Sequence, residues 1–212
     1  MQKVKINLKL KDSKLMHFMK IKQFLTILLV LIVVCAHAQT VFYKQLADSA
    51  LVLTKQSVVY DPAYTTIAYP NGDVAAGKGV CTDVVIRAYR KLGIDLQKEV
   101  HEDMKANFAK YPKNWGLVKP DKNIDHRRVP NLMTFFTRHG VVKTITNKAG
   151  DYQPGDIVCW NLGGAVTHIG IVSGIKSNDR ERYLIVHNIG SGQVLEDCLF
   201  NFKIIGHFQY KK

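Results

Sequence analysis

Along residues 42–57 apolar positions recur at the spacing of one helical face, and the stretch from Tyr60 to Gly79 breaks that pattern with two prolines and three glycines. In GKGVCTDVVIRAYRKLG (77–93), Val85, Ala88, Tyr89 and Leu92 fall on one face with Cys81, which predicts a helix near 80–92 that Gly93 ends. A polar, partly helical region runs from Asp95 to about Pro120, and VPNLMTFFTRHG predicts a further helix over 129–138 stopped by Gly140. The period then shortens. Segments near 141–146, 156–161, 166–173, 182–188, 193–198 and 203–209 are short, rich in Val, Ile and aromatics, and separated by turn residues. Helices first and strands afterwards imply an α+β fold, with N-terminal helices packed on a C-terminal antiparallel sheet.

The first 38 residues stand outside this scheme. Lys20 and Lys22 precede an apolar run from Phe24 to Ala36, and Ala36-His37-Ala38 is a small-x-small cleavage signal, so residues 1–38 read as a secretory signal peptide. The lysine-rich residues 1–15 resemble no part of a domain, which makes Met16 or Met19 alternative starts. The apolar run is shorter than the ~20 residues that span a bilayer, and Val34 before Cys35 does not suit a lipidation signal. A single exported domain over 39–212 is expected, in the periplasm or secreted, with no stable membrane anchor after cleavage and monomeric.

Removing the leader changes the charge argument. The chain of 212 residues carries a formal +13, but without residues 1–38 its 30 basic and 17 acidic residues become 23 and 16, a net +7. No nucleic-acid partner is expected from that excess, which suits an anionic envelope or an ordinary lysine-rich surface. Of the four cysteines Cys81, Cys159 and Cys198 remain. An odd number in an exported chain leaves a thiol unpaired, and Cys159 with Cys198 could pair or stand as separate core residues.

Cys81 fits two readings at this point: a small hydrophobe closing a core, or a nucleophile whose thiol is acidified by the free N–H groups of a first helical turn. A nucleophile needs a base. In VTHIGIVSG (166–174) alternation puts His168 and Val172 on one face, and in RYLIVHNIG (182–190) it puts Ile185 and His187 on one face. A hairpin closing symmetrically between Lys176 and Asp179 sets His168 directly opposite His187, with Cβ atoms about 4.5–5.5 Å apart. Cys81, His168 and His187 are then the parts of a Cys-His-His triad, acting as nucleophile, base and orienting group. The same three side chains could ligate zinc as the centre of a hydrolase, although no CxxC or HxxxH spacing supports it.

With these residues in view, GVCTDVV, PGDIVCW, THIGIV and the histidine of the following strand resemble the NlpC/p60 superfamily of papain-like cell-wall cysteine peptidases. YDPAY, YPNGDV, GVCTDVVIRAYR, VHEDM, DHRRVPNL and PGDIVCW together are similar to the branch catalogued as domain of unknown function 1287. The resemblance runs from about Tyr60 to the C-terminus. It implies a papain-like fold, no cofactor, and hydrolysis of an amide in peptidoglycan stem peptides through a thioester on Cys81. His168 is the implied base and His187 its orienting partner. Where superfamily members have Asp-Cys-Ser-Gly this chain has Val80-Cys81-Thr82-Asp83. Asp83, Asp125, His126 and Arg127 are candidate substrate-binding residues, the last three within a motif whose guanidinium groups could clamp a carboxylate. A non-catalytic envelope-binding module on the same fold, or acyl transfer by the same triad, are the other functions open to such a chain.

Overall fold

In the computed structural model, residues 22, 24, 25, 28, 29 and 40–212 are described, so the expected leader lies almost wholly outside them. No helix among the described residues is long and apolar enough to cross a membrane. The chain divides into two compact units, Met1–Val41 and Phe42–Lys212. The few described residues of the first are helical.

The second unit opens with α1, which here covers 42–53 and buries Leu46, Ala50 and Leu53. The expected loop after it carries a short parallel pair, β1 (Val59–Tyr60) with β2 (Lys78–Gly79). α2 (Cys81–Lys91) follows at once. Its apolar stripe drives it inward, the carboxylate of Asp83 accepts the Val80 N–H at 2.7 Å across the first turn, and Gly93 turns the chain out at φ +78°. In α3 (Leu96–Asn107) the N-cap Asp95 accepts from Gln97 N–H, and α4 (Val129–His139) starts with a proline in its first turn, where the missing N–H costs nothing. The segment between α3 and α4 folds as single 3₁₀ turns, the last of them Asp125–Arg127.

Six strands, β3 (Val141–Val142), β4 (Ile157–Gly163), β5 (Val166–Lys176), β6 (Tyr183–His187), β7 (Val194–Glu196) and β8 (Lys203–Gln209), form one sheet in the order β3-β8-β4-β5-β6-β7. All its pairings are antiparallel, so the molecule is α+β as the patterning implies. The expected strand at 141–146 shrinks to two residues. Alternation along the strands divides the sheet into two buried faces. Ile157, Cys159, Ile169, Ile171, Val186 and Phe208 pack with Val84, Val85 and Ala88 of α2 and with Leu132, Phe135 and Phe136 of α4. The other face carries Val158, Trp160, Val172 and Ile185 and is closed by Tyr152, Cys198 and Leu199 from connecting segments. The Trp160 indole N–H donates to the Leu199 carbonyl at 2.9 Å, which pins that covering segment. Cys159 and Cys198 therefore belong to different faces, and both are free.

The β5–β6 register differs from the symmetric hairpin. Ile171 pairs with Val186 and Val172 with Ile185, after an irregularity between Val172 and Lys176. Continued by one residue, this sets His187 opposite Gly170 rather than His168. A slip of two residues preserves the face, so the histidines become diagonal neighbours. Gly170 makes that diagonal passable: a Cβ there would stand 3.1 Å from His187 Cβ and 2.7 Å from Ile185 Cγ2.

Candidate active site

Cys81 is the first residue of α2, and its thiol lies against the sheet, where the backbone N–H of Ile169 meets it. Ile169 directly follows His168, and Thr167, which precedes it, lines the same cavity as Cys81. The thiol thus touches the backbone of β5 one residue after His168. No hydrogen bond joins it to either imidazole among the described residues. The cavity, of about 170 Å³, is bounded by Tyr60, Trp115, Arg127, Arg128 and Pro130 among others.

The two histidines do meet. His168 Nε2 lies 2.8 Å from His187 Nδ1, with the rings edge to face and both residues buried. Trp160, paired with His168 across β4 and β5, packs against its ring. His187 Nε2 lies 3.1 Å from Glu196 Oε2 on β7 and 3.6 Å from Cys198 Sγ. When the Glu196 carboxylate accepts the Nε2 proton of His187, Nδ1 is left as an acceptor for the His168 Nε2–H. His168 Nδ1 then holds a lone pair.

Burial sets the protonation of these groups. It pushes the Cys81 thiol up to about 12, against the Ile169 N–H, and the Asp83 carboxylate pushes the same way while the N–H groups of Thr82 and Cys81 oppose. Of the two readings of Cys81, acidification by the helix N-terminus does not prevail: desolvation of a buried thiolate outweighs the free N–H groups of the first turn. Burial, and then the charge of His187, lower His168 to about 3, while burial lowers His187 with Glu196 opposing. A neutral thiol and neutral imidazoles are the resting forms near neutral pH.

The expected carboxylate clamp is turned inward. Arg127 donates Nε to Asp83 Oδ1 at 2.9 Å and Nη2 to Oδ2 at 3.0 Å, with both side chains at most 4% exposed. Asp83 thus fixes the first turn of α2 and neutralises Arg127, since a buried guanidinium requires a carboxylate. Asp125 and His126 are buried too, and burial raises the first to about 6 and lowers the second to about 3. Arg128, stacked at 4.6 Å on Trp115, also lines the cavity and pairs loosely with Asp125, its Nη1 lying 4.0 Å from Oδ1.

The donor atoms of Cys81, His168 and His187 do not converge as metal ligands. Among the described residues the trio that does is His187, Glu196 and Cys198. Glu196 and Cys198 were not expected at the site, although their spacing of two along an extended segment beside β6 puts both on the His187 face.

Residues 47–210 match the family described as "Domain of unknown function (DUF1287)". The chain belongs to the DUF1287 family. It is 51% identical over 165 residues to "Uncharacterized protein YijF" of Escherichia coli (strain K12), covering 78% of this chain and 80% of that protein. Among solved structures it is similar to an N-acetylmuramoyl-L-alanine amidase from Bacteroides uniformis, at a TM-score of 0.46 and 12% identity, over 80% of this chain and 99% of the other. DUF1287 membership accounts for the motif combination that runs from YDPAY to PGDIVCW.

Proposed function

We propose that this DUF1287 protein is an exported cysteine hydrolase of the NlpC/p60 type that cleaves an amide bond in peptidoglycan stem peptides. The observation that carries the reading is the 2.8 Å bond between His168 Nε2 and His187 Nδ1, on the strand whose backbone the Cys81 thiol touches. With Nε2 donating to His187, the His168 Nδ1 keeps a lone pair that can take a proton. The resemblance of the Cys81 and THIGIV motifs to wall peptidases supplies the substrate class.

In this reading the resting pair is neutral. The Cys81 proton passes to His168 Nδ1 as sulfur attacks the amide carbonyl, and the imidazolium returns it to the leaving amine. The peptide N–H groups at the start of α2 stabilise the oxyanion. Water then attacks the thioester with His168 again as base, which restores the thiol and releases a carboxylate. His187 holds the tautomer and orientation of His168, and Arg128 on Trp115 receives an anionic group of the stem peptide. Residues 1–38 deliver the domain to the envelope.

Purified muropeptides should be incubated with wild-type protein and with His168→Ala, His187→Asn and His187→Ala. Loss of about 10²–10⁴ in turnover is expected for His168→Ala, with His187→Asn retaining more activity than His187→Ala because an amide replaces part of the hydrogen bonding. Full activity in His168→Ala would remove His168 as the base, whereas muropeptides bound but left intact by the wild type would leave the envelope-binding reading.

A further inference from the structure

We propose that His187 Nε2, Glu196 Oε2 and Cys198 Sγ form a binding site for a zinc-class divalent cation, on the side of His187 turned away from His168. All three donor atoms lie within 4.8 Å of one another, with the nitrogen 3.1 Å from the oxygen and 3.6 Å from the sulfur. Around a tetrahedral ion with N and O at about 2.0–2.1 Å and S at about 2.3 Å, the N···O and N···S separations are about 3.4 and 3.6 Å. The donors already stand close to that spacing. The sheet puts them there: Glu196 pairs with Ile185 and Val194 with His187, so Glu196 is a diagonal neighbour of His187, and Cys198 continues the same alternation. His187 and Cys198 are buried, whereas the Glu196 side chain is 45% exposed and opens a path to solvent.

The mixed N, O and S donors suit zinc over magnesium or calcium. Three protein ligands leave a fourth position for water. The second nitrogen of His187 is already held by His168, as a ligating imidazole requires.

Binding changes where protons sit. The Cys198 thiol releases its proton to solvent, and with Nε2 on the metal His187 carries its ring proton on Nδ1 and donates it to His168 Nε2. The ring proton of His168 is then confined to Nδ1. This consequence rests on the hydrolase reading, which requires that Nδ1 to accept the Cys81 proton, and it makes the metal an inhibitor held next to the catalytic pair.

The test is a ZnCl₂ titration of the full chain in competition with a chromophoric chelator, with elemental analysis after dialysis. Cobalt(II) substitution reports the thiolate by its charge-transfer absorption. One equivalent is expected, weakened at least about tenfold in Glu196→Gln and in Cys198→Ser and unchanged in Cys81→Ala. The absence of stoichiometric zinc, or equal affinity in both variants, overturns the site. Should Cys198→Ser fail to fold, Glu196→Gln, at an exposed carboxylate, decides. Zinc should also lower wild-type turnover of muropeptides, with Glu196→Gln needing at least about tenfold more zinc for the same loss. Turnover that rises with zinc overturns the inhibitory role. A protein that binds one zinc at these residues but has no turnover with or without it refutes the hydrolase reading and leaves the site standing.

Discussion

Replacing Asp83 with alanine should destabilise the protein by about 3–5 kcal/mol, because it strands the Arg127 cation in a place where that side chain is 2% exposed. The carboxylate accepts three bonds, from Val80 N–H at 2.7 Å and from Arg127 Nε and Nη2 at 2.9 and 3.0 Å. After its removal the guanidinium keeps only the carbonyls of Ala63 and Asp61, each at 3.3 Å. Against a typical total of about 5–15 kcal/mol the loss is large, and at an m-value of ~2 kcal/mol/M it moves the urea midpoint by about 1.5–2.5 M. Urea unfolding followed by circular dichroism on Asp83→Leu, Arg127→Met and the double variant completes a cycle. A coupling of about 2–3 kcal/mol is expected, with the double variant more stable than Asp83→Leu alone because no buried charge is left unpaired. The Val80 bond adds about 1 kcal/mol that the cycle does not return. A loss below about 1 kcal/mol in Asp83→Ala, as at an exposed pair, would refute the reasoning.

Iodoacetamide should label Cys81 slowly near pH 6 and faster as pH rises, because burial holds the thiol well above its ordinary value; a rate already at its plateau at pH 6 would contradict the burial argument. Asp83→Asn, which removes a carboxylate that pushes the thiol the same way, should speed labelling at a given pH in protein shown to be folded. Gly170→Ala should cost about 1–3 kcal/mol and reduce activity, since its methyl meets Ile185 Cγ2 at 2.7 Å and His187 Cβ at 3.1 Å; a neutral substitution would mean that the β5–β6 packing is looser than described. Burial alone would raise the pKa of Asp103, but its bonds from Arg138, Tyr111 and His139 hold it well below 3.8. Its stabilisation is then fully present above about pH 4 and is lost as pH falls below that value. Asp103→Asn should remove part of the acid dependence of the urea midpoint, and an unchanged pH profile would exclude the carboxylate as its source.

The helices and strands were legible because their apolar periods, near 3.6 and 2, are long enough to separate. The pairing of His168 with His187 was legible for a subtler reason. A period of two is blind to a two-residue slip, so the face survived an irregularity between Val172 and Lys176 that the sequence does not mark. The same charged motif that suggested a surface clamp misled, because Arg127 finds its partner 44 residues earlier in Asp83 and is buried by it. Local reading cannot supply a partner so far along the chain. The helix N-terminus correctly placed Cys81 but not its acidity, which depends on how completely α2 and the sheet enclose the thiol. Glu196 does not read as a site residue, since an acidic residue at a strand end reads as surface, and Cys198 reads only as a disulfide or core cysteine; their alternation with Val194 beside β6 was the signal.

The most direct test of the central claim is mass spectrometry of purified muropeptides incubated in H₂¹⁸O with wild-type protein and with Cys81→Ala. Hydrolysis through a Cys81 thioester predicts cleavage of one amide in the stem peptide, with one ¹⁸O in the new carboxylate and a peptide-sized adduct on Cys81 in quenched wild-type protein. Cys81→Ala should produce neither. The same labelled fragment released by Cys81→Ala, or muropeptides left intact by the wild type, would contradict the account.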